Sequence, residues 1–253
     1  MIISSVNNET VKSTAKLLQK KYRDSENKFI LEGFKCVEEA ILSNIEIETV
    51  FLEQNKIDWA KKFEHTLKDK IIYTTEHVLK KISSTESAPD IVAIAIKKEY
   101  SQSDFKNAKK LVLLENIKDL GNLGTIIRSC CAFNADGIIL YGSENADIYN
   151  PKCIRSTVGN FWKIPFININ NTAELKDKFG NFELIATLPK TNNYLKDFQI
   201  KGKTIVMFGS EADGLSKDLV DLSDRQVKIE MSNNVESLNL SVSCAIVLYK
   251  LFL

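Results

Sequence analysis

The sequence predicts an α/β protein built as two domains, and three observations carry that expectation. The chain has 253 residues, about 1.7 times a ~150-residue domain. Short apolar runs alternate with helical patterns along its length. In the second half the strands become apolar at nearly every position, as in a mostly parallel sheet covered on both faces.

At the start, Val11, Ala15, Leu18 and Tyr22 recur at helical spacing, and Lys12, Lys16, Lys20 and Arg23 line a neighbouring face. That basic stripe is either a solvated helix face or a set of RNA phosphate contacts. A strand at Lys28 to Glu32 precedes a helix at Cys36 to Leu42, a strand at Glu48 to Leu52 and a charged helix near Trp59 to Leu67. Ile71 to Tyr73 is the next strand, followed by a helix near Val78 to Ile82. Asp90 to Ile96, with four β-branched residues in seven, closes a first domain of residues 1–100. The polar stretch around Ser101 to Asp104 predicts a linker at 101–108. The second domain, 109–253, carries strands at Leu111 to Leu114, Gly137 to Tyr141, Phe182 to Ala186, Ile205 to Phe208 and Val227 to Glu230. A last helix, with Leu238, Val242, Ala245 and Tyr249 on one face, is expected to pack on that sheet.

A formal charge of +1, from 34 basic and 33 acidic residues, means that any basic surface must be local. No apolar run approaches the ~18 to 20 residues of a membrane span. The first residues lack the basic start and apolar core of a secretory signal. A soluble, cytoplasmic protein with no membrane partner is expected. Five cysteines without a C-x-x-C pair, and only two histidines, His65 and His77, point to reduced thiols and no metal. The chemistry is not expected to run on histidine.

Ligands of open α/β sheets bind beyond the carboxyl ends of the strands, and three such ends carry unusual residues. In Asn116 to Arg128, Gly121 and Gly124 permit a tight turn but do not fit G-x-G-x-x-G. Asn122 and Arg128 either face the strand ends together or belong to a capping loop and a surface arginine. In Gly209 to Ser216 the glycine spacing mimics a phosphate loop, yet Leu215 stands where its lysine belongs. Glu211 and Asp213 would repel phosphate there, and suit a cationic or hydroxyl-bearing ligand. In Ile229 to Val242, helix capping explains one or two of Ser237, Asn239 and Ser241, but not all three within five residues.

Together these segments resemble the SpoU (TrmH-type) family of RNA ribose 2′-O-methyltransferases, within the SPOUT superfamily. Asn122, Gly124, Ile126 and Arg128 match its N-x-G-x-I-x-R motif. Gly209, Glu211, Gly214 and Leu215 match its G-x-E-x-x-G-L motif, and Ser237 to Val242 match S-L-N-[VL]-S-V. Phe29 to Lys35 is similar to the signature of an RNA-binding domain often fused ahead of the catalytic one, itself like certain small ribosomal proteins. Asn150 to Pro165 follows the family too, although Arg155-Ser156-Thr157 and Asn160 depart from its usual residues.

The resemblance implies a C-terminal domain tied in a deep trefoil knot, binding S-adenosylmethionine, and a homodimer. It implies that Gly209, Ile229, Leu238 and Met231 contact the donor, with Thr187 and Leu188 completing the pocket. It implies that Arg128 is the catalytic arginine, that Asn122, Ser237 and Asn239 orient the ribose and Arg128, and that Glu211 holds the arginine or the substrate backbone. A guanidinium does not readily lose a proton, so Arg128 is expected to engage the adjacent phosphate and lower the hydroxyl's pKa. The implied substrate is ribosomal RNA, with transfer RNA as the alternative. A catalytically silent RNA-binding module on the same fold is the other reading.

Overall fold

The structure, a computed structural model, describes residues 2–232 and 234–253; Asn233, inside the third segment, lies outside them. The chain divides into two compact units, residues 1–99 with 147–162, and residues 100–146 with 163–253.

The first unit runs β1 (Ile2–Ile3), α1 (Glu9–Lys16), α2 (Lys20–Glu26), β2 (Lys28–Glu32), α3 (Phe34–Leu42) and β3 (Ile47–Glu53). It continues with α4 (Ile57–Lys62), α5 (Glu64–Leu67), β4 (Ile71–Thr74), α6 (Glu76–Lys81) and β5 (Ile91–Ile96). The strands form a five-stranded sheet in the order β1-β4-β3-β5-β2, in which β5 is antiparallel to both neighbours and the other pairs are parallel. Val11 of α1 and Val78 and Leu79 of α6 pack in one core cluster with Phe51 and Val92 of the sheet.

The single basic helix read from the sequence is two helices. The chain turns between Lys16 and Lys20, leaving carbonyls at the end of α1 without helical partners. Arg23, 1% exposed, fills that gap: Nη1 donates to the carbonyls of Leu17 and Leu18, both at 2.8 Å. Its Nε and Nη2 donate to one carboxylate oxygen of Asp147, at 2.8 and 2.6 Å. Lys20 pairs with Asp24 at 2.6 Å. Arg23 therefore cannot belong to an RNA-facing stripe, because the turn needs its donors inside.

The second unit opens with β6 (Lys110–Glu115), α7 (Leu120–Ala132) and β7 (Gly137–Tyr141). The stretch 147–162, which contains α8 (Pro151–Ser156), belongs to the first unit instead. Its Arg155 donates to the buried Glu32 carboxylate at the end of β2, which also accepts from Ser84 Oγ at 3.1 Å. The second unit resumes with β8 (Phe166–Ile169), α9 (Thr172–Phe179), β9 (Glu183–Thr187) and β10 (Thr204–Phe208), then α10 (Lys217–Leu222), β11 (Arg225–Val227) and α11 (Leu240–Phe252). Its six strands are all parallel, in the order β11-β9-β10-β6-β7-β8. The α/β class and the mostly parallel sheet agree with the sequence reading.

Three local expectations are corrected. Residues 101–108 are not an unpacked linker: a 3-10 turn at Gln102–Phe105, closed by a Ser101–Asp104 capping box, delivers Phe105 and Ala108 into the core of the second unit. The last strand ends at Val227 rather than Glu230, because the Lys228 backbone turns to pair with Asn193 and Leu195. On α11 the buried face is Cys244, Val247, Leu248 and Leu251, while Val242 and Tyr249 are 46% and 64% exposed. That helix is apolar almost all round, so periodicity alone cannot select the face that packs. Among the described residues no helix is long and apolar enough to cross a membrane, and no group of three or more His, Cys, Asp or Glu is placed to hold a metal.

Candidate active site

The neighbouring strands β11, β9, β10 and β6 bring their carboxyl ends side by side. Beyond them lies a cavity of about 630 Å³. Its walls are apolar where the strands end, at Phe208 and Val227, and along α11, at Leu240 and Val247. Acidic and small polar groups, Glu211, Asp213, Glu236 and Ser237, also line it.

Gly209 is the reason the loop after β10 can form. A Cβ there would lie 1.9 Å from the carbonyl carbon of Gly214, a backbone clash that no rotamer relieves. Ser210 and Gly214 exchange backbone hydrogen bonds at 3.2 and 3.0 Å and close the loop at its base, with Gly214 in the left-handed region at φ 69°. At the exit, the buried Glu115 carboxylate, last in β6, accepts from the backbone N–H of Ser216 at 2.7 Å. The loop is thus held at both ends while its acidic tip faces the cavity.

A chain of side-chain hydrogen bonds then crosses from one segment to the next. Asn239 Oδ1 caps α11 by accepting from the N–H groups of Ser241 and Val242, at 2.9 and 3.3 Å. Its Nδ2 donates to Asn122 Oδ1 at 3.0 Å, and Asn122 Nδ2 donates to Glu211 Oε1 at 2.8 Å. Asn122 is placed for this by Asp119, which caps α7 and accepts from the Asn122 N–H at 2.6 Å. Both ends of each amide are used, so the orientation of the two asparagines is determined.

Arg128 lies on the exposed side of α7 and does not line the cavity. Within this chain Glu211 Oε1 accepts from Asn122 Nδ2. Thiol chemistry has no support: burial pushes the Cys130 thiol well up, with Cys244 beside it adding to the effect, and pushes Cys131 up to about 12.

The model of the SpoU rRNA Methylase family matches residues 109–249. The chain belongs to that family. A second match, to an MRM3-like substrate binding domain, covers residues 8–93 of this SpoU-family chain. It is 30% identical to an uncharacterized tRNA/rRNA methyltransferase of Synechocystis sp., over 98% of this chain and 92% of that protein. It is 28% identical to the 23S rRNA (guanosine(2553)-2′-O)-methyltransferase RlmP of Bacillus subtilis, over 98% of each. Among solved structures, the AdoMet-bound rRNA methyltransferase from Sinorhizobium meliloti superposes with a TM-score of 0.87 at 25% identity, covering 99% of this chain and 96% of that one.

Of the residues singled out in the sequence, Gly209, Ile229, Leu238, Met231, Thr187 and Leu188 all line the cavity. So do Glu211, Ser237 and Asn239, while Asn122 reaches its edge through hydrogen bonds. The sequence reading missed Glu115, Glu236 and Lys228. For Glu115 a signal existed: a carboxylate ending an otherwise apolar run over Leu111 to Leu114 must find a donor when buried. Lys228 and Glu236 carried none, since charged residues beside a strand end are ordinary.

Proposed function

We propose that this protein transfers a methyl group from S-adenosylmethionine to the 2′-hydroxyl of a ribose in ribosomal RNA. The observation that carries the reading is the Asn239–Asn122–Glu211 chain bordering an apolar cavity at the strand ends. A volume of about 630 Å³ suits a ligand of this donor's size. The acidic groups Glu211, Asp213 and Glu236 outnumber Lys228 in the lining and suit its positive charge, and the apolar strand ends suit an adenine ring. The donor supplies a methyl group already activated as a sulfonium.

What remains for the protein is alignment and activation of the hydroxyl. Gly209, Ile229, Leu238 and Met231, with Thr187 and Leu188, hold the donor. Asn122, Ser237 and Asn239 orient the ribose, and Glu211 fixes the Asn122 amide by accepting its N–H. Arg128 engages the adjacent phosphate and favours the ionised hydroxyl by its charge. Residues 8–93 capture the RNA, and the knot implied by the resemblance shapes the donor pocket. Ribosomal RNA is preferred to transfer RNA because the Bacillus subtilis relative is named for 23S rRNA. Such a substrate is met in the cytoplasm.

A homodimer completes the site. Val242, Ile246, Tyr249 and Leu253 form an exposed apolar stripe along α11, which packs on α7, the helix that carries Arg128, and Tyr249 also meets the Phe133 ring at the end of α7. Apolar area of this kind is characteristic of an interface, and a second copy seated there would bring its own Arg128 to the shared surface. The test of the whole reading is a map of 2′-O-methyl groups in the host's ribosomal and transfer RNA after deletion of the gene. Loss of one ribosomal site is expected. An unchanged map in both RNAs would refute the reading, and loss of a transfer RNA site would reassign the substrate.

A further inference from the structure

A second cavity, about 590 Å³, lies within the first unit and is lined by Val6, Asn7, Lys12, His77, Lys80 and Lys81. It sits where α1 meets α6, on the outer side of the contact that buries Val11, Val78 and Leu79. Three of its six lining residues are lysines, a fourth is a histidine, and none is acidic. In a chain whose net charge is +1, that concentration of one sign in a concave surface is local.

The groups differ in how they are held. Lys80 donates to the carbonyls of Thr85, at 2.7 Å, and Glu86, which fixes its ammonium and leaves one N–H for a ligand. Lys12 pairs with Glu9 at 2.9 Å, but both side chains are exposed, and such a pair is worth little in water. Lys81 and His77 are exposed on α6. Lys16, one turn beyond Lys12 on α1, extends the same positive face.

We propose that this groove is a docking site for the phosphate backbone of RNA. The inference rests on the RNA methyltransferase reading and adds where the first unit grips its substrate. The lining offers N–H donors and positive charge, with Val6 its only apolar side chain and no Phe, Tyr or Trp. It therefore suits phosphates rather than stacked bases or the side chains of a peptide. Phosphate contacts carry no sequence information, so the groove sets affinity and register while the second unit selects the ribose. It also replaces the stripe read from sequence: Arg23 is withdrawn into the core, and α6 supplies the partners of Lys12 and Lys16.

The test uses the full-length protein carrying Lys12→Gln, His77→Gln and Lys81→Gln together, with Lys80 left intact because it anchors the chain at Thr85. The probe is ribosomal RNA from a strain lacking the gene. KM for RNA is expected to rise severalfold with kcat and donor affinity unchanged. The slope of log affinity against log salt should fall by about 1.4 to 1.8 units for two lost lysine–phosphate contacts. A Lys12→Arg, Lys81→Arg protein should behave as wild type, since either cation serves a phosphate. Unchanged KM and slope in the triple variant, with an active wild type, would overturn the groove assignment alone. A wild type that neither binds donor nor methylates RNA would overturn the methyltransferase reading, and this one with it. Competition by polyglutamate as effective as by RNA would overturn the assignment in favour of an acidic protein partner.

Discussion

Asn122 donates its side-chain N–H to Glu211 at 2.8 Å, and this bond joins the start of α7 to the loop after β10. The residues are 89 positions apart in sequence, and they meet because β6 and β10 are adjacent strands whose carboxyl ends open on the same side. The bond decides which end of the Asn122 amide is left for Asn239.

Removing the acceptor tests that relationship. Glu211→Ala should free the Asn122 amide and lower kcat/KM for methyl transfer by about tenfold, the scale of one charge-assisted hydrogen bond at a partly exposed site. Glu211→Gln keeps an acceptor oxygen and should lose less. Steady-state kinetics on unmethylated RNA distinguish the two. Equal losses in both variants would mean that the negative charge matters and the hydrogen bond does not.

Gly209→Ala places a methyl group 1.9 Å from the Gly214 carbonyl carbon, where backbone must move. The loop after β10 forms one wall of the cavity proposed for the donor, so donor affinity should fall by at least an order of magnitude by isothermal titration. The sheet below it is independent of the loop, and far-ultraviolet circular dichroism should change little. Wild-type affinity in this variant would separate the loop from the donor site.

The Arg23–Asp147 pair ties α2 to the stretch 147–162 within the first unit. Both side chains are buried, at 2% and 10% exposure. Removing one partner leaves the other charged and unpaired, so Asp147→Ala should cost about 3 to 5 kcal/mol in urea unfolding. The loss should be insensitive to salt, because buried pairs are poorly screened. A cost within the ±0.5 kcal/mol typical of surface substitutions would show that Arg23 is satisfied by the Leu17 and Leu18 carbonyls alone.

Ile246→Glu with Tyr249→Glu should convert the proposed homodimer to monomers without unfolding α11, since both side chains point away from Cys244, Val247 and Leu248. Sedimentation velocity reads the assembly and circular dichroism the fold. A dimer that survives both charges would move the interface elsewhere.

Much of the secondary structure was legible because local chemistry determines it. Phe29-Ile30-Leu31 and Gly137 to Tyr141 are apolar runs bounded by turn residues, and β2 and β7 occupy the ranges read from them. The break between α1 and α2 was not legible, because it depends on Arg23 finding Asp147, 124 residues away. Nor was the seating of 147–162 in the first unit, which rests on long-range pairs such as Arg155 with Glu32. The strand Phe166–Ile169 and the helix Thr172–Phe179 were passed over, being short and flanked by asparagines that read as loop. Within the site, residue types and their order stood out, yet the Asn239–Asn122–Glu211 chain is a product of strand adjacency that no spacing reveals. Ile229 was read both as strand and as a donor contact; it lies past the end of β11 and lines the cavity.

The proposed methyl transfer to a ribose hydroxyl depends on Arg128. The most direct measurement incubates purified protein with isotopically labelled S-adenosylmethionine and ribosomal RNA from a strain lacking the gene, then locates the label by nuclease digestion and mass spectrometry. Wild type should place the label on a single 2′-oxygen, while Arg128→Ala binds donor with near-normal affinity and transfers methyl groups orders of magnitude more slowly. Label on a base, or an Arg128→Ala protein as active as wild type, would contradict the account.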